Sequence, residues 1–309
     1  MTARHLSLGY QNPRNPITMS KPDLAALMLK MESIDKKIDA LLSQVNEVRQ
    51  LVGPFAATFP DGSLLTQTIH NVKYFIDPDD LVIAPQMVIY RQWEADLSQI
   101  FYHLCDEDSV FVDVGANFGY FSILAANLIS NRRSGRVFAF EPNPKLAALL
   151  RRNIEVNWSI APVMLAEAAV TDVVGEVTLH VPVAHGANAS LTASPDHDCT
   201  PVIVPAIRLD DAIPADTSVD IIKIDVEGHE LSVLRGARAV IARSPKLHLI
   251  MEWSRKQMAE AGIDPAAVIA ELEGFTPHRI ELGSQPLAYP ETFDWLLAQD
   301  YADVLFVRR

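Results

Sequence analysis

The sequence predicts an α/β protein built on an open, doubly wound sheet. Two observations predict it: strands alternate with amphipathic helices from residue 110 onward, and those strands are largely continuous apolar runs. Such strands are typical of a parallel sheet that helices cover on both faces. The predicted core strands span residues 110–114, 136–140, 163–166, 219–224 and 247–251.

Shorter signals predict the elements around these core strands. Asp264 and Pro265 are typical of a helix cap and a first helical residue, and Gly274 indicates the end of that helix. β-Branched and aromatic residues predict the outlying strands. Helices are predicted near residues 118–129, 145–156 and 230–242, and strands near 66–76, 81–83, 176–183, 202–207, 278–281 and 304–307. The strands at 176–183 and 202–207 form an insertion between the third and fourth core strands.

An apolar seam precedes the predicted sheet. Its members are spaced by alternating steps of three and four residues: Leu24, Leu27, Met31, Ile34, Ile38, Leu41, Val45, Val48 and Val52. This spacing predicts a coiled-coil helix that joins copies of the chain into a homo-oligomer. The alternative is an amphipathic helix packed on its own domain, because further apolar residues widen the stripe.

Four segments are therefore predicted along the chain. They are a flexible N-terminus over 1–20, the coiled-coil helix over 21–52, strands with a lid or helix over 53–105, and the doubly wound domain over 106–309. The net charge of −13 argues against a nucleic-acid partner. Two isolated cysteines, no apolar leader and no transmembrane segment predict a cytoplasmic protein.

A glycine-containing loop follows the first core strand. It reads Asp113-Val114-Gly115-Ala116-Asn117-Phe118-Gly119 and opens a helix, at the edge where a doubly wound sheet binds nucleotides. Its glycines let the backbone approach a ligand, and the asparagine tolerates positive φ. The spacing disfavours a dinucleotide, and a tight turn without a ligand is the alternative. Glu141, at the end of the second strand, is placed to accept hydrogen bonds from ribose hydroxyls, or to act as a helix N-terminal charge.

The fourth core strand carries charges where a sheet interior is usually apolar. Lys223 and Asp225 share one face of it, and Asp225 and Glu227 stand at its carboxyl end, on the ligand crevice. A buried ion pair is an alternative role for Lys223. Helix capping is the alternative for Asp225, Glu227 and His229. Glu252 ends the fifth core strand and reaches the same rim.

Three motifs together resemble the signature of the FkbM-type S-adenosylmethionine-dependent methyltransferases. They are the loop at 112–119, Glu141-Pro142-Asn143-Pro144, and Ile222-Lys223-Ile224-Asp225-Val226-Glu227-Gly228, of which the last is the most diagnostic. The similarity runs from about Thr66 to Val307 and leaves out the apolar seam. It implies a Rossmann-like class I methyltransferase sheet of seven strands, the last antiparallel. It also implies S-adenosyl-L-methionine as cofactor and a hydroxyl of a sugar, glycan or polyketide-like acceptor.

The resemblance also implies roles for individual residues. Asp113, Gly115, Ala116, Asn117 and Gly119 line the methionine portion of the cofactor. Glu141 holds its ribose and Asn143 lies near its adenine. Glu167 and Ala168 are further adenine candidates, and Glu94 is carried over as a cofactor-binding residue.

Methyl transfer to an alcohol needs alignment of the acceptor oxygen and removal of its proton. Asp225, Glu227 and His229 are the candidates for this task, with Glu252 and Lys223 as supporting or alternative groups. Carboxylates suit magnesium, but no spacing demands it, so no metal is predicted. Residues 186–191 are predicted to form a mobile loop over the acceptor pocket, or an ordinary hairpin loop.

Two other functions compete with this prediction. One is a nicotinamide-dependent oxidoreductase, which the glycine spacing disfavours. The other is a catalytically inactive, methyltransferase-like oligomeric scaffold, which the intact motifs disfavour.

Overall fold

The computed structural model describes residues 56–129, 131, 133–182, 189–193, 198–281 and 288–309, together with 28, 30, 31, 33–38, 41, 42, 45 and 48. The chain separates into two compact units, Met1–Gly53 and Pro54–Arg309. In the first unit the described residues are helical, and the described members of the apolar seam are 46–59% exposed. The predicted helix agrees with this backbone, whereas the coiled coil stays a prediction. Leu24, Leu27 and Val52 lie outside the described residues.

The second unit contains the predicted alternation of strands and helices. Its strands are β1 (Ala56–Thr58), β2 (Leu64–Gln67), β3 (Lys73–Ile76), β4 (Val110–Val114), β5 (Arg136–Phe140), β6 (Val163–Ala166), β7 (Ala169–Val170), β8 (Gly175–Pro182), β9 (Cys199–Ile207), β10 (Ile221–Ile224), β11 (His248–Ser254), β12 (Phe275–Ile280), β13 (Ala288–Pro290) and β14 (Tyr301–Arg308). Its helices are α1 (Ile83–Ile89), α2 (Ala95–Leu104), α3 (Tyr120–Leu128), α4 (Pro144–Val156), α5 (Leu209–Ala212), α6 (Glu230–Gly236), α7 (Arg238–Ala242), α8 (Arg255–Glu260), α9 (Pro265–Glu271) and α10 (Phe293–Leu297).

The central sheet has the order β13-β12-β14-β11-β10-β4-β5-β6. The five strands from β11 to β6 are parallel, and β14 runs antiparallel between β11 and β12. Two apolar cores cover its two faces, one around Phe111 and Ile221 and the other around Val112 and Ile222. The predicted doubly wound class I methyltransferase sheet with its antiparallel last strand is confirmed. β13 adds an eighth strand to the seven that were expected.

The inserted segments form a separate small sheet. Its order is β7-β9-β8, and β8 pairs antiparallel with β9 along its whole length. A third sheet, β1-β2-β3, precedes the central one. No helix in the described part of the chain combines the length and the hydropathy that a membrane span requires.

Three local predictions differ from the structure. The strand predicted near 66–76 is a hairpin, in which β2 pairs antiparallel with β3 across a turn that contains Asn71 at φ +63°. The strand predicted at 81–83 is absent, because Asp80 accepts hydrogen bonds from the amides of Val82 and Ile83 and so starts α1. The helix predicted at 230–242 is divided into α6 and α7 at Ala237. Gly236 ends α6, and glycine has a low helix propensity.

Candidate active site

The loop between β4 and α3 lies against two neighbouring elements. Gly115 has φ +79°, and a Cβ atom there would stand 1.8 Å from the backbone oxygen of Asp225. Gly119 has φ +91°, and a Cβ atom there would stand 2.0 Å from Cδ1 of Leu150 on α4. Asn117 also has a positive φ, of 55°. The loop therefore needs both glycines, for conformation and for space.

Glu141 ties this loop to the end of β5. Its two carboxyl oxygens accept hydrogen bonds from the backbone amides of Asn117, at 2.7 Å, and Asn143, at 2.8 Å. The side chain is buried. Burial raises the pKa of Glu141 to about 7, against the lowering effect of those two amides. The carboxyl is thus held rigidly at the strand tip by the backbone on either side.

A cavity of about 390 Å³ opens at the carboxyl ends of the parallel strands, a size in the range of small-molecule sites. Nine of the sequence-predicted site residues line it: Gly115, Asn117, Glu141, Ala168, Glu94, Asp225, Glu227, His229 and Glu252. A small adjoining cleft of about 40 Å³ brings in three more, namely Asp113, Ala116 and Lys223. We call the part around residues 113–119 and Glu141 the loop half. The part around Glu94, Glu227, Glu252 and Gln257 is the acidic half.

Three predicted residues lie outside the cavity. Asn143 caps α4, its side chain accepting a hydrogen bond from the amide of Lys145. Glu167 forms an ion pair with Arg151. Gly119 packs beneath the loop against Leu150. The adenine roles expected of Asn143 and Glu167 stay predictions, whereas Ala168 does line the cavity.

Lys223 is the buried cation at the centre of the site. Its Nζ lies 2.7 Å from Oδ2 of Asp225, so the two side chains share one face of β10 as predicted. Asp113 pairs with Lys223 in register on β4. Burial lowers the pKa of Lys223, but Asp225, Asp113 and Glu94 outweigh that effect, and the net shift is upward. The lysine therefore stays charged.

Asp113 lies in the cleft below the loop. Its Oδ2 accepts a hydrogen bond from the Ser122 hydroxyl at 2.5 Å, while its Oδ1 is buried and has no hydrogen-bond partner. Burial raises the pKa of Asp113. An unpartnered buried oxygen beside the loop is a contact that a ligand with an N–H or O–H group would satisfy.

The acidic half gathers carboxyl groups with raised pKa values. Burial raises the pKa of Glu94 to about 8, of Glu227 to about 8 and of Glu252 to about 9. Neighbouring carboxyls add to the shift, and Asp225 contributes in all three cases. Perturbed carboxyls in a cleft are typical of a site that handles protons.

Glu227 is held by contacts on both its side chain and its backbone. Its Oε2 accepts a hydrogen bond from Nε2 of Gln257, and its backbone oxygen accepts one from the Ser190 hydroxyl at 2.9 Å. The backbone itself turns through positive φ, 55° at Glu227 and 98° at Gly228. That left-handed turn projects the carboxyl into the cavity at the end of β10.

His229 contacts the insertion. Its Nε2 lies 2.9 Å from the hydroxyl oxygen of Thr192, and burial lowers its pKa. Ala189 and Leu191 of the same segment line the cavity. The loop predicted over the acceptor pocket is therefore adjacent to the site in its described part, and residues 186–188 lie outside the described residues.

Sequence reasoning missed Gln257, Tyr301 and Asp303. Gln257 lies in the first turn of α8, directly after the strand that ends near Glu252, which was the one available signal. Tyr301 and Asp303 come from the antiparallel β14, and Asp303 faces Glu252 in its register. Nothing in the local sequence indicates that pairing.

The loop half fits S-adenosyl-L-methionine. Gly115 leaves no room for a side chain against β10, so the backbone itself forms the cradle, and Glu141 presents a buried carboxyl at the next strand tip. Asp113 supplies the unpartnered oxygen. Across the described residues, no group of three or more His, Cys, Asp or Glu side chains is arranged to hold a metal ion.

The family model described as the methyltransferase FkbM domain matches residues 113–286, more than half of the chain. The chain belongs to this family. It is therefore an FkbM-type methyltransferase, and its cofactor is S-adenosyl-L-methionine. The matched residues include the loop half, the end of β10 and Glu252, so the family assignment and the cavity coincide.

Two curated relatives match the FkbM-type chain at low identity. The 2-O-methyltransferase NoeI of Sinorhizobium fredii is 26% identical over 54% of this chain and 72% of its own length. The hexuronic acid methyltransferase AglP of Haloferax volcanii is 28% identical over 46% of this chain and 56% of its own length. A solved methyltransferase FkbM from Methylobacillus flagellatus is similar with a TM-score of 0.37 and 16% identity, over 72% of this chain and 52% of that one.

Proposed function

We propose that this methyltransferase transfers its methyl group to a hydroxyl of a sugar or glycan acceptor. The observation that carries the proposal is the single cavity in which the loop half and the acidic half face each other. A cofactor held by the loop half would direct its methyl group toward the acidic half. Glu227 in that half has a pKa raised to about 8, which is close to the value that suits a general base at neutral pH. The names of the two curated relatives support an oxygen acceptor and a hexuronic acid acceptor, respectively.

The loop half would hold the cofactor. Glu141 would accept hydrogen bonds from ribose hydroxyls, and Asp113 would accept one from the methionine portion through Oδ1. Asn117 and Gly115 would line the passage between them. When bound, the cofactor supplies an electrophilic methyl group on a sulfonium.

Glu227 is the proposed proton acceptor for the acceptor hydroxyl. It lines the cavity, its carboxyl is fixed by Gln257, and its pKa of about 8 suits removal of a proton near neutral pH. The ion pair between the buried Lys223 and the partly exposed Asp225 would form the base of the site. His229 is tied to Thr192 through Nε2, which makes it a positioning group in this proposal.

Isothermal calorimetry of the full chain with S-adenosylhomocysteine and with NAD tests the cofactor. We expect binding of the first only. Binding of NAD alone would support the oxidoreductase alternative. Binding of neither, in a protein that is folded by circular dichroism, would support the scaffold.

Transfer of radiolabelled methyl from S-adenosylmethionine to a set of methyl glycosides then tests the acceptor class. We expect a labelled product that survives mild base, as an ether does and an ester does not. A base-labile product would show a carboxyl acceptor and would contradict the hydroxyl assignment.

A further inference from the structure

Two oxygens in the acidic half are buried without a hydrogen-bond partner. They are Oε2 of Glu252 and Oε1 of Gln257, and both residues line the cavity. A buried polar atom without a partner costs about 1–3 kcal/mol, so such an atom in a native cavity needs a donor from water or from a ligand. Two of them at one end of one cavity indicate a two-point hydrogen-bonding site.

The contacts on their other atoms fix both side chains. The amide nitrogen of Gln257 donates to the carboxyl of Glu227. The ionised form of Glu227, which is the form that accepts a proton, can only accept this hydrogen bond, so the amide oxygen of Gln257 is left for another donor. Glu252 shares a hydrogen bond with the Tyr301 hydroxyl, which leaves its other oxygen unpartnered. Gln257 therefore joins the proposed proton acceptor to the recognition point.

Resting on the proposed function, we propose that Glu252 and Gln257 recognise neighbouring hydroxyl groups of an uncharged sugar ring and present a third hydroxyl to Glu227. A hydroxyl group both donates and accepts, so it satisfies an amide oxygen and a carboxyl in either protonation state. A polyol ring carries several such groups on adjacent carbons, so one ring offers a partner to each of the two oxygens.

The lining of the cavity disfavours an anionic acceptor. None of the described residues that line it is Lys or Arg, and the nearby Lys223 is already paired with Asp225. A uronate or phosphate group at this end would be buried beside Glu94, Glu227 and Glu252 without a cation, which costs several kcal/mol. This chain should therefore differ in specificity from its relative named for hexuronic acid.

A neutral hydroxyl group suits these carboxyls. Burial raises the pKa of Glu94 to about 8 and of Glu252 to about 9, so each can meet a hydroxyl either as an uncharged carboxyl that donates or as a carboxylate that accepts.

Steady-state methyl transfer by the full chain tests this specificity. The probes are the methyl glycosides of glucose, galactose, mannose, fucose and rhamnose, with the glucuronide and the glucoside 6-phosphate as anionic counterparts. We expect at least one neutral glycoside to have a kcat/KM tenfold or more above both anionic probes. Better transfer to an anionic probe, or no transfer to any neutral one, overturns the inference.

Three variants test the two residues. Gln257→Met and Glu252→Leu keep the side-chain volume and remove the unpartnered oxygens, so each should raise KM for the neutral glycoside about tenfold, the loss of one hydrogen bond. Glu252→Gln retains hydrogen-bonding capacity and should restore most of that loss. Gln257→Met should also lower kcat because Glu227 loses its donor, whereas Glu252→Leu should act mainly on KM.

Lys256→Met is the matched control on α8, because its side chain is 72% exposed. It should leave KM unchanged. All variants should bind S-adenosylhomocysteine within twofold of the unaltered protein. An unchanged KM in both Gln257→Met and Glu252→Leu overturns the recognition site. If the unaltered protein does not bind S-adenosylhomocysteine, the proposed function itself is refuted.

Discussion

The two halves of the cavity are built in different ways. In the loop half, backbone geometry and hydrogen bonds to backbone amides position the groups: Gly115 lies against β10, and both oxygens of Glu141 accept from backbone amides. Among the described residues of this half, Oδ1 of Asp113 is the one buried side-chain oxygen without a partner. In the acidic half, side chains from separate strands and helices meet, and Glu252 and Gln257 keep unpartnered oxygens. The loop half is therefore a rigid site for one ligand, the cofactor. In the acidic half, we expect the unpartnered oxygens to gain hydrogen bonds when a second ligand, the acceptor, binds.

The sharpest test of the acidic half is Glu227→Gln. The amide cannot take a proton, so we expect turnover to fall ~10²–10⁴-fold, while the affinity for S-adenosylhomocysteine changes little. Radiolabelled methyl transfer and calorimetry measure the two quantities. Glu260→Gln on α8, outside the cavity, is the control. Full turnover in the Glu227 variant would transfer the proton role to another group.

The sharpest test of the loop half is Gly115→Ala. The new Cβ would overlap the backbone oxygen of Asp225 at 1.8 Å, so the loop must move, and we expect affinity for S-adenosylhomocysteine to fall about a hundredfold or more. Gly62→Ala is the matched control, because Gly62 has φ +84° but no atom within 4 Å of the added Cβ. In that variant we expect backbone strain to lower the free energy of unfolding in urea by about 1–2 kcal/mol, with no change in the affinity for S-adenosylhomocysteine. Equal affinity in both variants would contradict the steric account.

The pH dependence of turnover separates the halves further. Burial raises the pKa of Glu227 to about 8, and the ionised form is the one that accepts a proton, so kcat/KM should rise as pH increases through about 8. Between pH 6 and pH 8 the ionised fraction grows roughly fiftyfold, which sets the expected rise. The Glu227→Gln variant should lack this rise. A flat profile in the unaltered protein would remove Glu227 as the proton acceptor.

A smaller effect is expected from Glu141→Ala in the loop half. Loss of the carboxyl leaves ribose hydroxyls unpaired and releases the amide of Asn117, so affinity for S-adenosylmethionine should weaken by about 1–3 kcal/mol. Glu167→Ala is the control, since Glu167 lies outside the cavity and pairs with Arg151. Calorimetry distinguishes them. An equal loss of S-adenosylmethionine affinity in the two variants would support the adenine role predicted for Glu167.

Deletion of residues 1–52 should affect neither half. The described seam residues are 46–59% exposed, and each buried aliphatic side chain contributes about 1.5–3 kcal/mol, so we expect self-association through this helix. Light scattering should show an oligomer, with a dimer preferred over a trimer, that becomes a monomer on deletion while S-adenosylhomocysteine affinity is retained. A monomeric full chain with a truncation that lowers the melting temperature would favour the helix packed on its own domain.

The sequence by itself determined the sheet and the loop half. Largely apolar strands predicted that β4, β5 and β10 run parallel in one sheet, and the glycines at 115 and 119 marked a loop whose conformation only glycine adopts without strain. These features depend on local periodicity and on backbone dihedral angles, which neighbouring residues encode. The same-face pairing of Lys223 and Asp225 followed from the two-residue repeat of a strand.

Only the tertiary structure decided the acidic half. Gln257 and Tyr301 enter the site through α8 and the antiparallel β14, and Asp303 of β14 pairs with Glu252 in a register that no local pattern encodes. The raised pKa values of Glu94, Glu227 and Glu252 arise from burial and from the neighbouring Asp225, an environment that exists only once distant strands have met. The tertiary structure likewise brings Glu167 into an ion pair with Arg151 of α4, because a residue's position after a strand does not fix where its side chain points.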